Sequence, residues 1–264
     1  MFESSDDESS ILRNESVLSS THTPNSIVGR ENEVDEIVEV LRPLTKNKEV
    51  ENLLLYGPPG SGKSTCMEYV LKHLGEETRI KPVRINCWKY NTRSSFLAEL
   101  LIQLGYPAPR KGKPVDELLS KIREWLDKNR GFAVALDEFD RLEEKTQVIY
   151  DLQMLNAEAD NKVGTIMVSN QHPQKIDLDP RSRSRLNCQT LEFDSYSALQ
   201  LEGILRKRVE QAFRPGAVPD QVVEEIAERV AAESGDCREA LSMLLQAGRQ
   251  ADRNGESEVS PDDL

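Results

Sequence analysis

Residues 57–64 read Gly-Pro-Pro-Gly-Ser-Gly-Lys-Ser, which fits the phosphate-binding loop pattern of a glycine, four residues and then Gly-Lys-Ser. The apolar run Asn52–Tyr56 before it predicts a buried strand, and residues 65–74 after it predict a helix. Glycines let successive backbone N–H groups turn inward around a phosphate, and the positive end of the following helix points at the same anion. In this pattern Lys63 reaches the β- and γ-phosphates of a nucleotide and the Ser64 hydroxyl ligates Mg²⁺.

The stretch therefore predicts a nucleotide phosphate site, and the alternative is an ordinary Gly/Pro-rich turn between a strand and a helix. The predicted contacts are Gly57, Pro58, Pro59, Gly60, Ser61, Gly62, Lys63, Ser64 and Thr65.

The length and composition of the chain limit the kinds of protein in which this loop can lie. A chain of 264 residues suits one large domain, or one domain with a small companion. The net charge of −12 argues against broad nonspecific attraction to DNA, although local patches decide binding. No apolar run has membrane-spanning length, and the acidic N-terminus does not resemble a secretory signal. The four cysteines form no Cys-x-x-Cys pair, which indicates a reduced, cytoplasmic protein with ordinary thiols.

The order of apolar runs predicts an α/β fold. Strands that alternate with helices are typical of a parallel sheet with helices on both faces. The predicted strands are residues 52–56, 81–87, 132–136, 164–168 and 190–193, and the predicted helices of this region are 33–44, 65–74, 96–104 and one around 118–126.

Three further helices follow, at about 197–213, 220–233 and 236–253. The first opens with a capping box at Ser197 and Gln200, and the third has Asp236 as its N-cap. The predicted organisation is a disordered acidic arm over residues 1–25, an α/β nucleotide-binding domain over 26–194 and a helical domain over 195–264.

Acidic and polar residues follow two of the predicted strands. Asp137 and Glu138 come directly after the apolar run 132–136. An acid at a strand tip can hold Mg²⁺, and the next carboxylate can orient or deprotonate an attacking water. Asn170 ends the next strand and is a candidate to hold that water or to touch the γ-phosphate. The alternatives are surface acids after a strand and a turn-forming Asn, both of which are common.

Taken together, these motifs resemble a known family. The phosphate loop, Leu-Asp-Glu-Phe-Asp (136–140), Val-Ser-Asn (168–170), an arginine-rich stretch and Gly-Asp-Cys-Arg-Glu-Ala-Leu (235–241) occur in the order found in AAA+ ATPases. Within that class the chain is similar over nearly its whole length to the replication initiators of the origin recognition complex and cell-division-cycle-six family. The resemblance implies an AAA+ P-loop NTPase with a five-stranded parallel sheet and a C-terminal three-helix lid. It also implies ATP and Mg²⁺ as cofactors, with slow hydrolysis.

The resemblance assigns further roles residue by residue. The segment with Ile27, Val28 and Arg30 matches the part that packs around adenine. Asn170 matches the residue called sensor 1. Arg238 matches sensor 2, which contacts the γ-phosphate from the lid; a solvated arginine on a helix surface is its alternative. Arg185 is the best match, and Arg181 the second, to an arginine finger for a neighbouring protomer's ATP, although a solvated basic loop would look the same.

Residues 79–113 form a basic segment, with eight basic side chains against the single acid Glu99, or +7 in a protein of net −12. Such segregation suggests a surface that faces phosphates. The alternative is basic side chains scattered over one βα unit, with Trp88 and Tyr90 in the core. The family carries a helical insertion that contacts DNA in this region, so the candidate DNA contacts are Arg93, Arg110, Lys111 and Lys113.

We therefore expect an ATP-dependent DNA replication initiator that binds double-stranded origin DNA as an ATP/ADP switch. The implied partners are a neighbouring AAA+ protomer and the replicative helicase, which the protein helps to recruit, and the implied location is the nucleoid. The family usually continues into a winged-helix domain, whereas this chain ends at Leu264, so we expect a fragment or a short paralogue. The alternatives are a non-replicative AAA+ ATPase that acts on protein partners and a nucleotide-binding regulator that no longer hydrolyses ATP.

Overall fold

The computed structural model describes residues 10–19, 22–107, 112–179 and 188–264. The chain divides into two compact units. The α/β unit comprises Arg30–Pro58 and Gly62–Phe193. The helical unit comprises the described residues up to Gly29, the short piece Pro59–Ser61 and Asp194–Leu264. No helix among the described residues has the length and hydropathy needed to cross a membrane.

A five-stranded sheet forms the centre of the α/β unit. Its strands are β1 (Asn52–Tyr56), β2 (Lys81–Asn86), β3 (Phe132–Asp137), β4 (Val163–Ser169) and β5 (Cys188–Glu192). They lie in the order β2-β3-β4-β1-β5, and every pairing is parallel. All residues of β3 and β4 are buried, which is why both strands read as continuous apolar runs. The predicted five-stranded parallel sheet is confirmed.

Among the described residues, five helices accompany the sheet: α1 (Glu31–Leu41), α2 (Lys63–Glu77), α3 (Arg93–Gln103), α4 (Val115–Lys128) and α5 (Lys145–Glu158). The sequence analysis did not anticipate α5, although Val148, Ile149, Leu152 and Leu155 recur at helical spacing and are buried. α3 begins with a capping box in which Thr92 and Ser95 bond each other's backbone. Side chains of α3, α4 and α5 form one apolar core with the strands.

The helical unit contains α6 (Ala198–Ala212), α7 (Asp220–Glu233) and α8 (Cys237–Asn254). Ser197 and Gln200 form the predicted capping box of α6, and the Asp236 side chain caps α8 as predicted. Gly255 ends α8 in the left-handed conformation with φ +71°, where a glycine avoids the Cβ clash. The three helices share a second apolar core, which confirms the predicted three-helix lid.

The N-terminal segment differs from the prediction. Residues 10–19 are not a disordered arm but part of the helical unit's core, in which Ile11, Leu12, Val17 and Leu18 are buried. Leu12 forms a β-bridge with Phe213. The backbone N–H of Ile11 and the Ser10 hydroxyl both donate to the Asp252 carboxylate of α8, each at 2.7 Å. Glu15 pairs with Arg249 on the same helix, and this hydrogen-bonded arginine lowers the pKa of Glu15.

The segment is ordered because its apolar side chains are buried against the helices of this unit. The favourable free energy of that burial outweighs the conformational entropy lost when a short stretch of chain is fixed.

Candidate nucleotide-binding site

The phosphate loop connects β1 to α2, the context that its motif requires. Gly57 has φ +147°, and a Cβ at that position would lie 2.1 Å from the carbonyl oxygen of Phe193. Gly62 has φ +95° and forms the N-cap of α2. Lys63, the first residue of α2, is buried, and its Nζ donates to the carbonyls of Gly57 at 2.9 Å and Pro58 at 2.6 Å. The ammonium and the positive end of α2 thus lie together at the loop, an arrangement suited to an anion.

The predicted metal and water residues lie together at the C-terminal end of β3. The Ser64 hydroxyl donates to Asp137 Oδ1 at 3.0 Å, and the backbone N–H of Glu138 donates to the same oxygen at 3.1 Å. Asp137 is only 4% exposed. Glu138 adopts the left-handed conformation with φ +55°, which is uncommon for a residue with a side chain. The loop, the hydroxyl and the two carboxylates are therefore assembled in one place.

Two β2 residues that sequence analysis did not assign to this site complete it. Asn86 pairs with Asp137 in the β2–β3 register, and its amide donates to Glu138 Oε2 at 3.3 Å. The Arg84 guanidinium donates to Asp137 Oδ2 at 2.6 Å and forms a second ion pair with Glu68 of α2. Arg84 was counted in the basic segment, but the structure turns it toward two carboxylates rather than toward an external phosphate.

Asn170 lies at the end of β4 with an exposed side chain. Its backbone N–H donates to Asp140 Oδ1 at 3.4 Å, and the hydroxyl of Ser169 donates to the same oxygen at 3.2 Å. The Asp140 side chain is only 4% exposed. Asp140 thus ties the turn after β3 to the turn after β4, and it is a further residue that sequence analysis did not single out.

The predicted adenine-binding residues fall in both units. Arg30 is the N-cap residue of α1 in the α/β unit and is buried, with its Nη1 2.6 Å from Glu33 Oε1. Its guanidinium also lies 5.3 Å from the centroid of the Phe193 ring, at cation–π range. Ile27 and Val28 belong to the helical unit and are half-buried, and a Cβ built on Gly203 of α6 would lie 3.2 Å from Val28.

Arg238 is the second residue of α8, and its side chain is exposed. Its backbone N–H donates to Asp236 Oδ1 at 2.7 Å. Gly60, which clusters with the helical unit, lies so close to Asp236 that a Cβ would be 1.7 Å from that carboxylate. The N–H of Cys237 donates to the Gly60 carbonyl at 3.3 Å. A glycine is therefore required at this position of the loop for steric reasons as well as for its φ of +70°.

Of the candidate DNA contacts and arginine fingers, the structure describes Arg93 and Lys113. Arg110, Lys111, Arg181 and Arg185 lie outside the described residues. Arg93 instead forms two hydrogen bonds of 2.7 Å with the carboxylate of Asp151, which is only 3% exposed. These hydrogen bonds raise the pKa of Arg93, and they account for the residue as part of the fold. Lys113 pairs with Glu117 one turn along the chain.

The residues at the phosphate loop fit the cofactors that the motif implies. Ser64 and Asp137 supply two neighbouring oxygen ligands, which suits Mg²⁺ because this ion binds few protein oxygens and keeps several waters. Across the ranges that the structure describes, no group of three or more His, Cys, Asp or Glu is placed to hold a metal. In nucleotide sites Mg²⁺ takes one or two protein ligands and completes its shell with substrate phosphates and water.

Comparison with known proteins agrees with this architecture. The model of the Cdc6 AAA+ ATPase-type lid domain matches residues 202–264, and the model of an AAA domain matches residues 47–176. The ORC1-type DNA replication protein of Pyrococcus abyssi is 33% identical over 263 residues, an alignment that covers 95% of this chain and 63% of the relative. The chain thus spans less than two thirds of the length of that relative.

Solved structures extend the comparison. The Aeropyrum pernix ORC1 protein, whose structure contains DNA, has a TM-score of 0.82 and is 31% identical, with 96% of this chain and 68% of that chain covered. Cdc6p from Pyrobaculum aerophilum has a TM-score of 0.84 over 97% of this chain and 70% of its own, and at 23% identity it shows the fold alone. The motif resemblance is confirmed, and the chain belongs to the ORC1/Cdc6 family of AAA+ ATPases.

Proposed function

We propose that this chain is an ATP-dependent DNA replication initiator that uses slow ATP hydrolysis as a switch. The observation that carries the proposal is the assembly of Lys63, Ser64, Asp137 and Glu138 around one loop at the C-terminal ends of parallel strands. Ligands bind at such strand ends in open α/β sheets. The ORC1-type relatives are named for DNA replication, which makes initiation the process to which we assign this ATPase.

The chemistry follows from the positions of the side chains. The loop amides and Lys63 would hold the phosphates, while Ser64 and Asp137 would hold Mg²⁺. Bound Mg²⁺ supplies positive charge to the phosphate oxygens. Glu138 would orient or deprotonate the attacking water, and Asn86 positions its carboxylate by donating to Oε2.

The family resemblance supplies the remaining proposed contacts with the nucleotide. Asn170 and Arg238 would sense the γ-phosphate, Ile27, Val28 and Arg30 would pack around adenine, and Arg185 would reach a neighbouring protomer's ATP.

We further propose that double-stranded origin DNA is the ligand controlled by this switch, with the protein located on the nucleoid in the cytoplasm and the replicative helicase as its downstream partner. The complex of the Aeropyrum pernix ORC1 protein with DNA supports a DNA ligand. Among the four basic candidates we retain Arg110, Lys111 and Lys113. Arg93 is left out because its guanidinium is engaged by the buried Asp151.

One observation favours a second function. Arg84, Arg93 and Lys113 are each paired with an acid of the same chain, so the basic segment offers less charge to DNA than its +7 implies. A non-replicative AAA+ ATPase that acts on protein partners would need no DNA-facing charge. Duplex DNA binding distinguishes the two functions.

The catalytic assignment is tested with two variants and a control. Lys63→Ala should abolish ATP binding, since it removes the cation of the loop. Glu138→Gln should retain ATP binding and lose turnover, because an amide of the same shape cannot accept the proton of water. Glu76→Gln changes an exposed acid of α2 and should hydrolyse ATP at the wild-type rate. Wild-type turnover by Glu138→Gln would show that the catalytic assignment is wrong.

A further inference from the structure

Trp88 occupies an unusual position for a tryptophan. Its side chain is 61% exposed, whereas the sequence allowed a buried core position. The other large hydrophobic side chains that the described residues expose are Val38, Tyr150 and Leu199, all of them smaller. Tyr90, two residues later, packs partly against the apolar core. Covering so large an apolar ring with a partner would be favourable, which makes Trp88 a candidate binding contact.

The exposed ring is held in place by a cation. The Arg141 guanidinium lies 4.5 Å from the centroid of the Trp88 ring, well inside cation–π range. Arg141 belongs to the short 3-10 helix Phe139–Arg141, which directly follows the Asp137–Glu138 pair. The next residue of the Trp88 loop, Lys89, lies 5.2 Å from the Tyr90 ring. One cation, Arg141, thus lies against the Trp88 ring, and a second, Lys89, follows it in the chain.

The backbone that carries this arrangement is well anchored. The Asn86 side chain accepts from the backbone N–H of Lys89 at 3.0 Å, and the backbone N–H of Tyr90 donates to the Asn86 carbonyl at 3.0 Å. The carbonyl of Asn91 in the same loop accepts from the backbone N–H of Glu143, and its amide donates to the Glu143 carboxylate at 2.7 Å. The loop that carries Trp88 is therefore held by several hydrogen bonds. Such preorganisation reduces the conformational entropy that is lost when the ring binds a partner.

We propose that Trp88, with Arg141 behind it, is a stacking platform for an unpaired nucleobase of single-stranded DNA. One face of the ring is covered by Arg141, which leaves the opposite face for a flat partner. Every base offers such a face, and Lys89 supplies positive charge for an adjoining phosphate. The charge of Arg141 is shared with Asp140, whose Oδ2 lies 3.4 Å from the Arg141 Nε. The inference rests on the proposed DNA-linked function and deepens it by naming a single strand as a second DNA ligand of the chain.

A duplex is a poorer ligand for this platform. Paired bases are stacked on one another, so a protein ring gains access to them only by paying the unstacking cost of a few kcal/mol per step. An unpaired strand exposes its base faces without that cost. We therefore assign the platform to a strand that is already open.

The two tryptophans make fluorescence a direct test. Trp125, the other tryptophan, packs edge-to-face against Phe132 of β3, with ring centroids 6.1 Å apart, and supplies the background emission. The full chain is titrated with a short oligothymidylate at low salt, and the Trp88→Phe variant reports the signal of Trp125 alone. Base stacking should quench the Trp88 part of the emission. Inorganic tripolyphosphate is titrated in parallel as a probe for phosphate binding without bases.

The variants then separate stacking from charge. Trp88→Ala should weaken oligothymidylate binding by roughly 5- to 150-fold, the range expected for one stacked base. Trp88→Phe, which keeps an aromatic ring, should recover part of that loss. Leu199→Ala, a change at another exposed apolar residue, should bind like wild type. Trp88 lies on the surface, so its replacement should leave the melting temperature unchanged.

Two results would overturn the inference. One is equal binding of oligothymidylate by wild type and Trp88→Ala. The other is equal quenching by tripolyphosphate, which would show that the site binds phosphate rather than a base. Either result leaves the proposed initiator function standing if duplex binding remains nucleotide-dependent, so the two failures are distinguishable.

Discussion

Arg93→Ala should destabilise the α/β unit rather than merely remove a DNA contact. The Arg93 side chain is 29% exposed, but its partner Asp151 is only 3% exposed and accepts two hydrogen bonds of 2.7 Å from it. Removing the arginine leaves a buried carboxylate without its cation. Loss of one partner of a buried ion pair costs about 3–5 kcal/mol, and the partial exposure of Arg93 reduces our expectation to about 2–4 kcal/mol in the free energy of unfolding.

Denaturant unfolding measures this loss, and a double-mutant cycle assigns it to the pair. Asp151→Asn in the Arg93→Ala background should recover part of the stability, because a neutral amide costs less to bury than an unpaired carboxylate. Arg79→Ala removes an exposed arginine of the same basic segment and should stay within about 0.5 kcal/mol of wild type. The reasoning is refuted if Arg93→Ala unfolds like wild type but binds duplex DNA more weakly.

Three further outcomes follow from named contacts. Arg84→Gln should tighten Mg²⁺-dependent ADP binding by roughly fivefold, or about 1 kcal/mol, because it removes a partly exposed cation from Asp137; weaker binding in a Mg²⁺ titration would contradict this. Asp140→Ala should lower ATP turnover without changing ATP affinity, because it releases the turn that carries Asn170 from the turn that follows Glu138. Asp140→Asn should restore part of the rate, because its amide oxygen can still accept both hydrogen bonds. Equal turnover rates in the two variants would count against this positioning role of Asp140. Leu18→Ala should cost about 2–4 kcal/mol in the unfolding of the helical unit, whereas Leu199→Ala, at a 78% exposed position, should cost almost nothing.

Features with a local signal were the ones that the sequence predicted well. A short apolar run predicts the strand before the phosphate loop. The helix caps at Ser197 and Asp236 are predictable because each capping side chain lies within three residues of the backbone N–H that it accepts from. The missed helix α5 also carried a signal, in the spacing of Val148, Ile149, Leu152 and Leu155.

Features that depend on contacts between residues far apart in the chain could not be predicted from the sequence. The N-terminal segment is ordered by the pairing of Leu12 with Phe213, far along the chain, and no local pattern reports such a contact. The place of Arg84 in the site depends on the β2–β3 register, which pairs Asn86 with Asp137. That register joins residues about fifty positions apart in the chain, which no local pattern reports, so an arginine counted in the basic segment proved to be a partner of Asp137.

The central claim is that this ATPase controls an association with DNA. It is tested most directly by duplex DNA binding with ATP and with ADP across a salt series, using wild type and Lys63→Ala. We predict that the wild-type affinity differs between the two nucleotides and falls steeply with salt, as phosphate contacts require, and that Lys63→Ala binds equally with both. Wild-type binding that is the same with ATP and ADP at every salt concentration, or no duplex binding at all, would contradict the claim.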